Sequence, residues 1–198
     1  PGCPAAAPSA VSATAAASAS LSRWQGRPVT CSKRVSPSVS SHDASGNLLL
    51  LTPVLDRIRE LVHAGAVFTL ADHATLERLR YWRAPRGTRV HLKVETGLGR
   101  LGLPAADVTA LAIEAERSGL DVEGVWTHLA AAEDDEQLTR SQAEQFHEAL
   151  EQLRRAGIEP RLRHASNSAG ILRHRELEFD MVRSGIMLYG YSPLAPGM

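Results

Sequence analysis

Lysine is nearly absent from this chain. Among 198 residues only Lys33 and Lys93 carry an ammonium, against 20 arginines, so any lysine-dependent chemistry has two residues to draw on. The excess of Arg over Lys points to a GC-rich coding sequence, which is a genome property and not a functional one. Cysteine is scarce too. Cys3 and Cys31 both lie in the first part of the chain, which argues against a disulfide framework or a zinc site and suits the cytosol. No apolar run approaches the roughly 18 residues of a membrane span. Net charge is zero, so no global field favours nucleic acid or an anionic membrane. What remains is the composition of an ordinary globular protein, long enough for one domain with a real core.

The chain divides into two unlike parts. In residues 1–46, Ala and Ser supply 21 positions, Asp43 is the only acid, and no helical or strand period is visible. Disorder is expected there. A flexible linker, an acid-poor transit segment and a misread reading frame ahead of a true domain all fit. From Asn47 to Met198 strand-like and helix-like stretches alternate. Leu48–Leu51 reads as a short buried strand. A helix follows, with Thr52 as cap, Pro53 in its first turn and an apolar face of Leu55, Ile58, Leu61 and Val62. Further strands are expected at 66–70, 89–95, 122–128, 161–165 and 181–189. Helices are expected at 72–82, from Pro104 to Gly119, from a Ser141/Glu144 capping box to Gly157, and briefly from Ser168. Repeated β-α units without hairpin signals imply an α/β fold with a parallel sheet. A closed (β/α)₈ TIM-type barrel takes roughly 250 residues. The expectation is thus a partial barrel of about six strands, lacking its first strands and exposing unpaired edges.

Two constellations stand out. Gly97, Gly99 and Gly102 satisfy G-x-G-x-x-G after a strand, with Asp121 and Glu123 further on. In a dinucleotide site the helix starts within the glycines. Here Pro104 opens it after the last one, so a plain Gly-rich turn is the better reading. The second is a series of polar residues at successive strand ends: Lys93 and Arg100, then His128, then His164, Asn167 and Ser168, then Arg183, Gly185 and Ile186. In a β/α barrel all these ends open on one face, where active sites are built. Ser168 ahead of a helix, with amides near Gly185, would suit a phosphate. Singly, each also reads as a core histidine, a helix cap or an ion-pairing arginine.

At these positions H-L-K-V-E-T-G-L-G-R-L-G (91–102), E-G-V-W-T-H-L-A (123–130), H-A-S-N-S-A-G (164–170) and F-D-M-V-R-S-G-I-M-L-Y-G (179–190) resemble alanine racemase in order and spacing, over about residues 48–193. The resemblance implies an isomerase that binds pyridoxal 5′-phosphate (PLP) at a barrel mouth and interconverts L- and D-alanine, supplying cell-wall peptidoglycan. It further implies a cytoplasmic protein that is a homodimer when intact. By the same resemblance Arg183 faces the pyridine nitrogen and His164 holds that arginine. His128 packs against the ring, and Asn167 lies beside it. Ser168, Gly185 and Ile186 contact the phosphate. Arg100 meets the cofactor's phenolic oxygen and the substrate carboxylate, and Lys93 matches a lysine that is carbamylated in many members.

Departures matter as well. Glu95 stands for the usual Asp, Leu98 for Met, Leu129 for Phe, and Glu133 falls where Asp is common. No residue matches the lysine that holds the cofactor covalently, since Lys33 sits in C-S-K-R-V-S, and Tyr81, Tyr189 and Tyr191 are not in the context of the opposing tyrosine base. Neither catalytic base is identifiable, so the chain alone is expected not to racemise alanine. A non-catalytic PLP binder, a decayed homologue and a racemase for another amino acid remain as alternatives.

Overall fold

The computed structural model describes residues 48–52 and 55–194. The Ala/Ser-rich segment 1–46, Lys33, Pro53 and the Leu55 side chain lie outside the described residues. Five strands form one all-parallel sheet in sequential order: β1 (Leu49–Leu50), β2 (Val67–Leu70), β3 (Arg89–Lys93), β4 (Asp121–Trp126) and β5 (Leu162–His164). Helices α1 (Ile58–His63), α2 (His73–Tyr81), α3 (Ala105–Arg117) and α4 (Glu136–Arg155) make the crossovers, and α5 (Ser168–Arg173) follows β5. This is the partial β/α barrel expected from the β-α alternation.

Local chemistry sets the element ends. Asp72 caps α2 by accepting the Thr75 amide at 2.8 Å, and Gly119, with φ +83°, turns the chain after α3. The α4 start differs from expectation. Asp135 is the cap, accepting the Leu138 amide at 2.8 Å, and Ser141 and Glu144 lie inside the helix. An Asp side chain directly ahead of the first turn supplies a stronger terminus than a Ser five residues in. β1 is shorter and less buried than expected, with Leu48 and Leu51 exposed, because β2 is its sole sheet neighbour among the described residues. Thr52 does not cap α1, which is instead entered through a 3₁₀ turn at Leu55–Arg57 without a side-chain cap.

The expected strand at 181–189 is absent among the described residues. The segment is tied alongside β5 by Asp180 N–H to Arg163 O (3.1 Å) and Arg183 N–H to Ser166 O (2.9 Å). It then leaves the β conformation at Gly185 and enters a 3₁₀ turn, Ile186–Tyr189. The amides of Gly185 and Met187 that a ladder would use donate to the Ser168 hydroxyl instead, at 2.9 and 3.4 Å.

The sheet has two unlike faces, because side chains alternate along each strand. Phe68, Leu70, Val90, Leu92, Val122 and Val125 pack against helix residues Leu76, Leu79, Val108, Leu111, Phe146 and Leu153 in one core. The opposite face is buried yet polar: Thr69, His91, Lys93, Trp126 and His164 are each at most 2% exposed. Sheet register places Thr69 beside His91, His91 beside Gly124, Lys93 beside Trp126, and Trp126 beside His164. The polar face is the concave, lumen side of the barrel, and it leads to the candidate site.

Candidate active site at the strand ends

Arg183 is the hub. Its Nη2 donates to the Thr127 carbonyl at 2.6 Å and the Ala165 carbonyl at 2.9 Å, and its Nη1 lies 2.6 Å from His164 Nδ1. A guanidinium only donates, so His164 Nδ1 is an unprotonated acceptor. Three of the five N–H groups are thereby spent on the frame. The Nε–H and one Nη1–H remain for a ligand. The guanidinium also lies over the Trp126 ring, 4.6 Å from its centroid, and Trp126 stacks on His164 at 5.8 Å with 7° between the planes. Burial pulls the Arg183 pKa down to about 9, and it remains a cation at neutral pH.

Lys93 is fully buried on the same face. Its Nζ donates to the Leu101 carbonyl and lies 5.1 Å from the Trp126 centroid. Burial lowers its pKa; Glu95 opposes this, and Arg100 and Arg183 add to it. His128, half-buried, is pushed down to about 4, first by desolvation and then by the fields of Arg183, Arg100 and Lys93. It is therefore a neutral imidazole at pH 7. Lys93 and Arg100, both following β3, and Arg183, following β5, act on the one His128 ring, and Lys93 and Arg183 both lie against Trp126, so these groups share one end of the sheet.

The Gly-rich loop is built around an acid, not around a phosphate. The Glu95 carboxylate accepts the amides of Gly97 (2.6 Å), Gly99 (3.1 Å) and Arg100 (3.4 Å). Burial pushes the Glu95 carboxyl up, but the hydrogen bonds from the loop amides overcome this and hold it below its ordinary value. The amides that a pyrophosphate would need are thus occupied, which removes the dinucleotide reading. Gly102 is required for a different reason: a Cβ there would lie 2.9 Å from Glu95 N and 3.0 Å from Lys93 O.

Across the mouth, Ser168 sits at the start of α5, its hydroxyl accepting from Gly185 and Met187 and keeping its own proton to donate. Asn167 caps that helix through Gly170 N–H (3.0 Å) and donates to Leu129 O (3.2 Å). A Cβ on Gly185 would meet nothing within 4 Å, so there is open space beside that residue's α-carbon. Arg100, Gly185 and Ile186 are exposed. Gln142 braces the floor, donating to Thr96 Oγ1 and His128 O and accepting from Ala130 N.

The motif reading did not include Trp126, Thr127, His91, Gln142 or Thr96 in the site. His91 and Lys93 share parity on β3, so period-two alternation alone could have placed His91 on the lumen face. Gln142 projects from a helix, and no strand pattern could have found it. No group of three or more His, Cys, Asp or Glu able to hold a metal occurs among the described residues. A separate surface cleft of about 650 Å³, lined by Arg57, Arg59, His63 and Trp82 among others, shares no residue with this mouth.

A parallel β/α half-barrel with cations gathered at its strand ends defines a barrel-type domain, a fold whose active sites are built at the C-terminal face of the strands. The family model described as "Alanine racemase, N-terminal domain" matches residues 8–193, and the chain belongs to that family. The match starts within the Ala/Ser-rich segment, ahead of residue 48, where the resemblance was expected to begin. Alanine racemase of Symbiobacterium thermophilum is 50% identical over 118 residues, covering 59% of this chain and 31% of the relative. That of Sorangium cellulosum is 36% identical over 181 residues, covering 86% and 48%. The solved alanine racemase of Bacillus anthracis with bound L-Ala-P superposes with a TM-score of 0.67 at 29% identity, over 73% of this chain and 39% of that one. The chain thus spans between about a third and a half of these relatives' lengths.

Proposed function

We propose that this chain forms the cofactor-holding part of a PLP-dependent alanine racemase, a cytoplasmic enzyme that acts as a homodimer and supplies D-alanine for the cell wall. The observation that carries the proposal is Arg183: three of its N–H groups are pinned to His164, Thr127 and Ala165, which leaves two to donate to a bound ring nitrogen. When bound, the cofactor would supply an electron sink for negative charge at the substrate's α-carbon. Arg183 would donate to the pyridine nitrogen and keep it unprotonated, which tempers that sink and favours racemisation over side reactions. Neutral His128 would pack against the ring, with Asn167 beside it. Ser168, with the Ile186 amide and with the Gly185 amide on leaving the Ser168 hydroxyl, would hold the phosphate. Arg100 would meet the phenolic oxygen and orient the substrate carboxylate. The depressed Lys93 amine suits addition of carbon dioxide with loss of a proton, and the resulting carbamate anion would orient Arg100.

The 198-residue sequence has no match to the family's lysine and tyrosine bases. The chain by itself should therefore bind the cofactor and leave alanine unchanged, as a non-catalytic binder would. The test incubates it with PLP and L-alanine, measuring bound cofactor by equilibrium dialysis and D-alanine with an oxidase-coupled assay. Saturable binding without D-alanine is expected. Absence of binding would refute the cofactor assignment; D-alanine formation abolished by Arg183→Ala would refute the inactivity.

A further inference from the structure

The pyridine-facing reading assigns His164 as the support of Arg183, but His164 is itself held. Its Nε2 lies 2.8 Å from His91 Nδ1, both rings being buried. His91 Nε2 in turn lies 3.5 Å from Glu123 Oε2. The proton positions follow from one fixed end. Arg183 donates to His164 Nδ1, so a neutral His164 carries its proton on Nε2 and donates to His91 Nδ1. His91 then carries its proton on Nε2, pointing at Glu123. Desolvation, then the fields of Arg183 and His91, push the His164 pKa far down, which keeps the ring neutral. Glu123 is held below its ordinary value, first by its bond from His91 and further by Arg89 (3.7 Å) and Arg161 (3.6 Å). The chain of contacts therefore ends on an ionised carboxylate.

Geometry explains how a β3 side chain reaches a β5 side chain. Two strands away is roughly 9–10 Å, since neighbours are about 4.8 Å apart. The strand between is β4, and the residue paired with His91 is Gly124. A Cβ on Gly124 would lie 2.6 Å from His91 Cε1 and Nδ1. The imidazole thus lies across the backbone of β4, through a gap that only glycine leaves open.

We infer that Glu123 and His91, crossing β4 at Gly124, are positioning residues for Arg183, acting through the His164 tautomer. The relay's purpose rests on the cofactor reading, whereas its geometry does not. Its consequence is that the guanidinium cannot rotate: a His164 with its proton on Nδ1 would confront Arg183 donor to donor. Glu123, the acid that the dinucleotide motif would have assigned to a ribose, is committed to this line.

The test is ¹⁵N NMR of the imidazole and guanidinium groups in the full chain, with Glu123→Gln and Glu123→Leu, alongside titration with pyridoxine 5′-phosphate. In the wild type, Nδ1 of both His91 and His164 should be unprotonated and both Nε2 protonated. Glu123→Gln keeps an acceptor and should preserve that pattern. Glu123→Leu should convert His164 to mixed tautomers, broaden the Arg183 signals and weaken the analogue about tenfold, whereas Ser168→Ala should weaken it without changing His164. A wild-type His164 protonated on Nδ1 refutes the relay even if Glu123→Leu fails to fold, and so does a folded Glu123→Leu with unaltered His164 and Arg183 signals. If the analogue fails to bind while the tautomers are as stated, the cofactor reading falls and the relay stands.

Discussion

Replacing Gly124 with Ala should destabilise the protein, against the usual sign for a strand. In an unobstructed strand interior, Ala is favoured over Gly by about 0.5–1 kcal/mol. Here the new methyl would lie 2.6 Å from His91 Cε1 and Nδ1 and 2.8 Å from Cγ. The ring cannot swing aside freely, because its two nitrogens face His164 and Glu123. Overpacking of this kind costs about 1–3 kcal/mol. A displaced His91 also leaves the buried His164 N–H without an acceptor, at about 1–3 kcal/mol. Set against the backbone gain, the net loss is about 1–5 kcal/mol, a large part of a domain's stability of about 5–15 kcal/mol. Urea unfolding measures it, with the slope held constant as the check on two-state behaviour. In a His91→Ala background the clash disappears, so the same substitution should there cost little or stabilise. A Gly124→Ala protein as stable as the wild type, or an equal cost in both backgrounds, would refute the reasoning.

Other outcomes follow from the same structure. Arg183→Lys should lower affinity for pyridoxine 5′-phosphate at least about tenfold by calorimetry, since one ammonium cannot replace a fork that grips three acceptors and still donates outward. Stability should fall as pH drops from about 6.5 toward 4: the unfolded state takes up a proton on His128 near its ordinary value, while the folded His128 value is about 4. Buried His164 acts in the same direction, and His128→Gln should flatten part of the slope in urea midpoints measured across that range. Asp135→Ala removes the α4 cap and should cost about 0.5–2 kcal/mol in urea unfolding.

Much of this was legible in the sequence because the strand ends of a parallel β/α sheet share one face. Lys93, His128, His164 and Arg183 follow one another at successive strand ends, and a parallel sheet brings successive strand ends to one edge. Gly119 and Gly157 marked helix ends by their own chemistry, and the structure keeps them there. The failures have local causes. Ser141 and Glu144 satisfy a capping pattern inside a helix that Asp135 had already started, and short motifs cannot tell the two apart. The apolar run ending at Tyr189 looks like a strand, but Ser168, a residue 17 positions away from Gly185, takes the amides that pairing would need. Contacts at such separations leave no periodic trace. The role of Gly124 was likewise invisible, because a glycine in a strand does not announce which side chain crosses it.

Seating of the cofactor's ring and phosphate is tested most directly by titration calorimetry of the 198-residue chain with pyridoxine 5′-phosphate, which lacks the aldehyde and so needs no lysine. One saturable site per chain is predicted, weakened at least about tenfold by Arg183→Ala and by Ser168→Ala separately. No saturable binding, or binding indifferent to both substitutions, would contradict it.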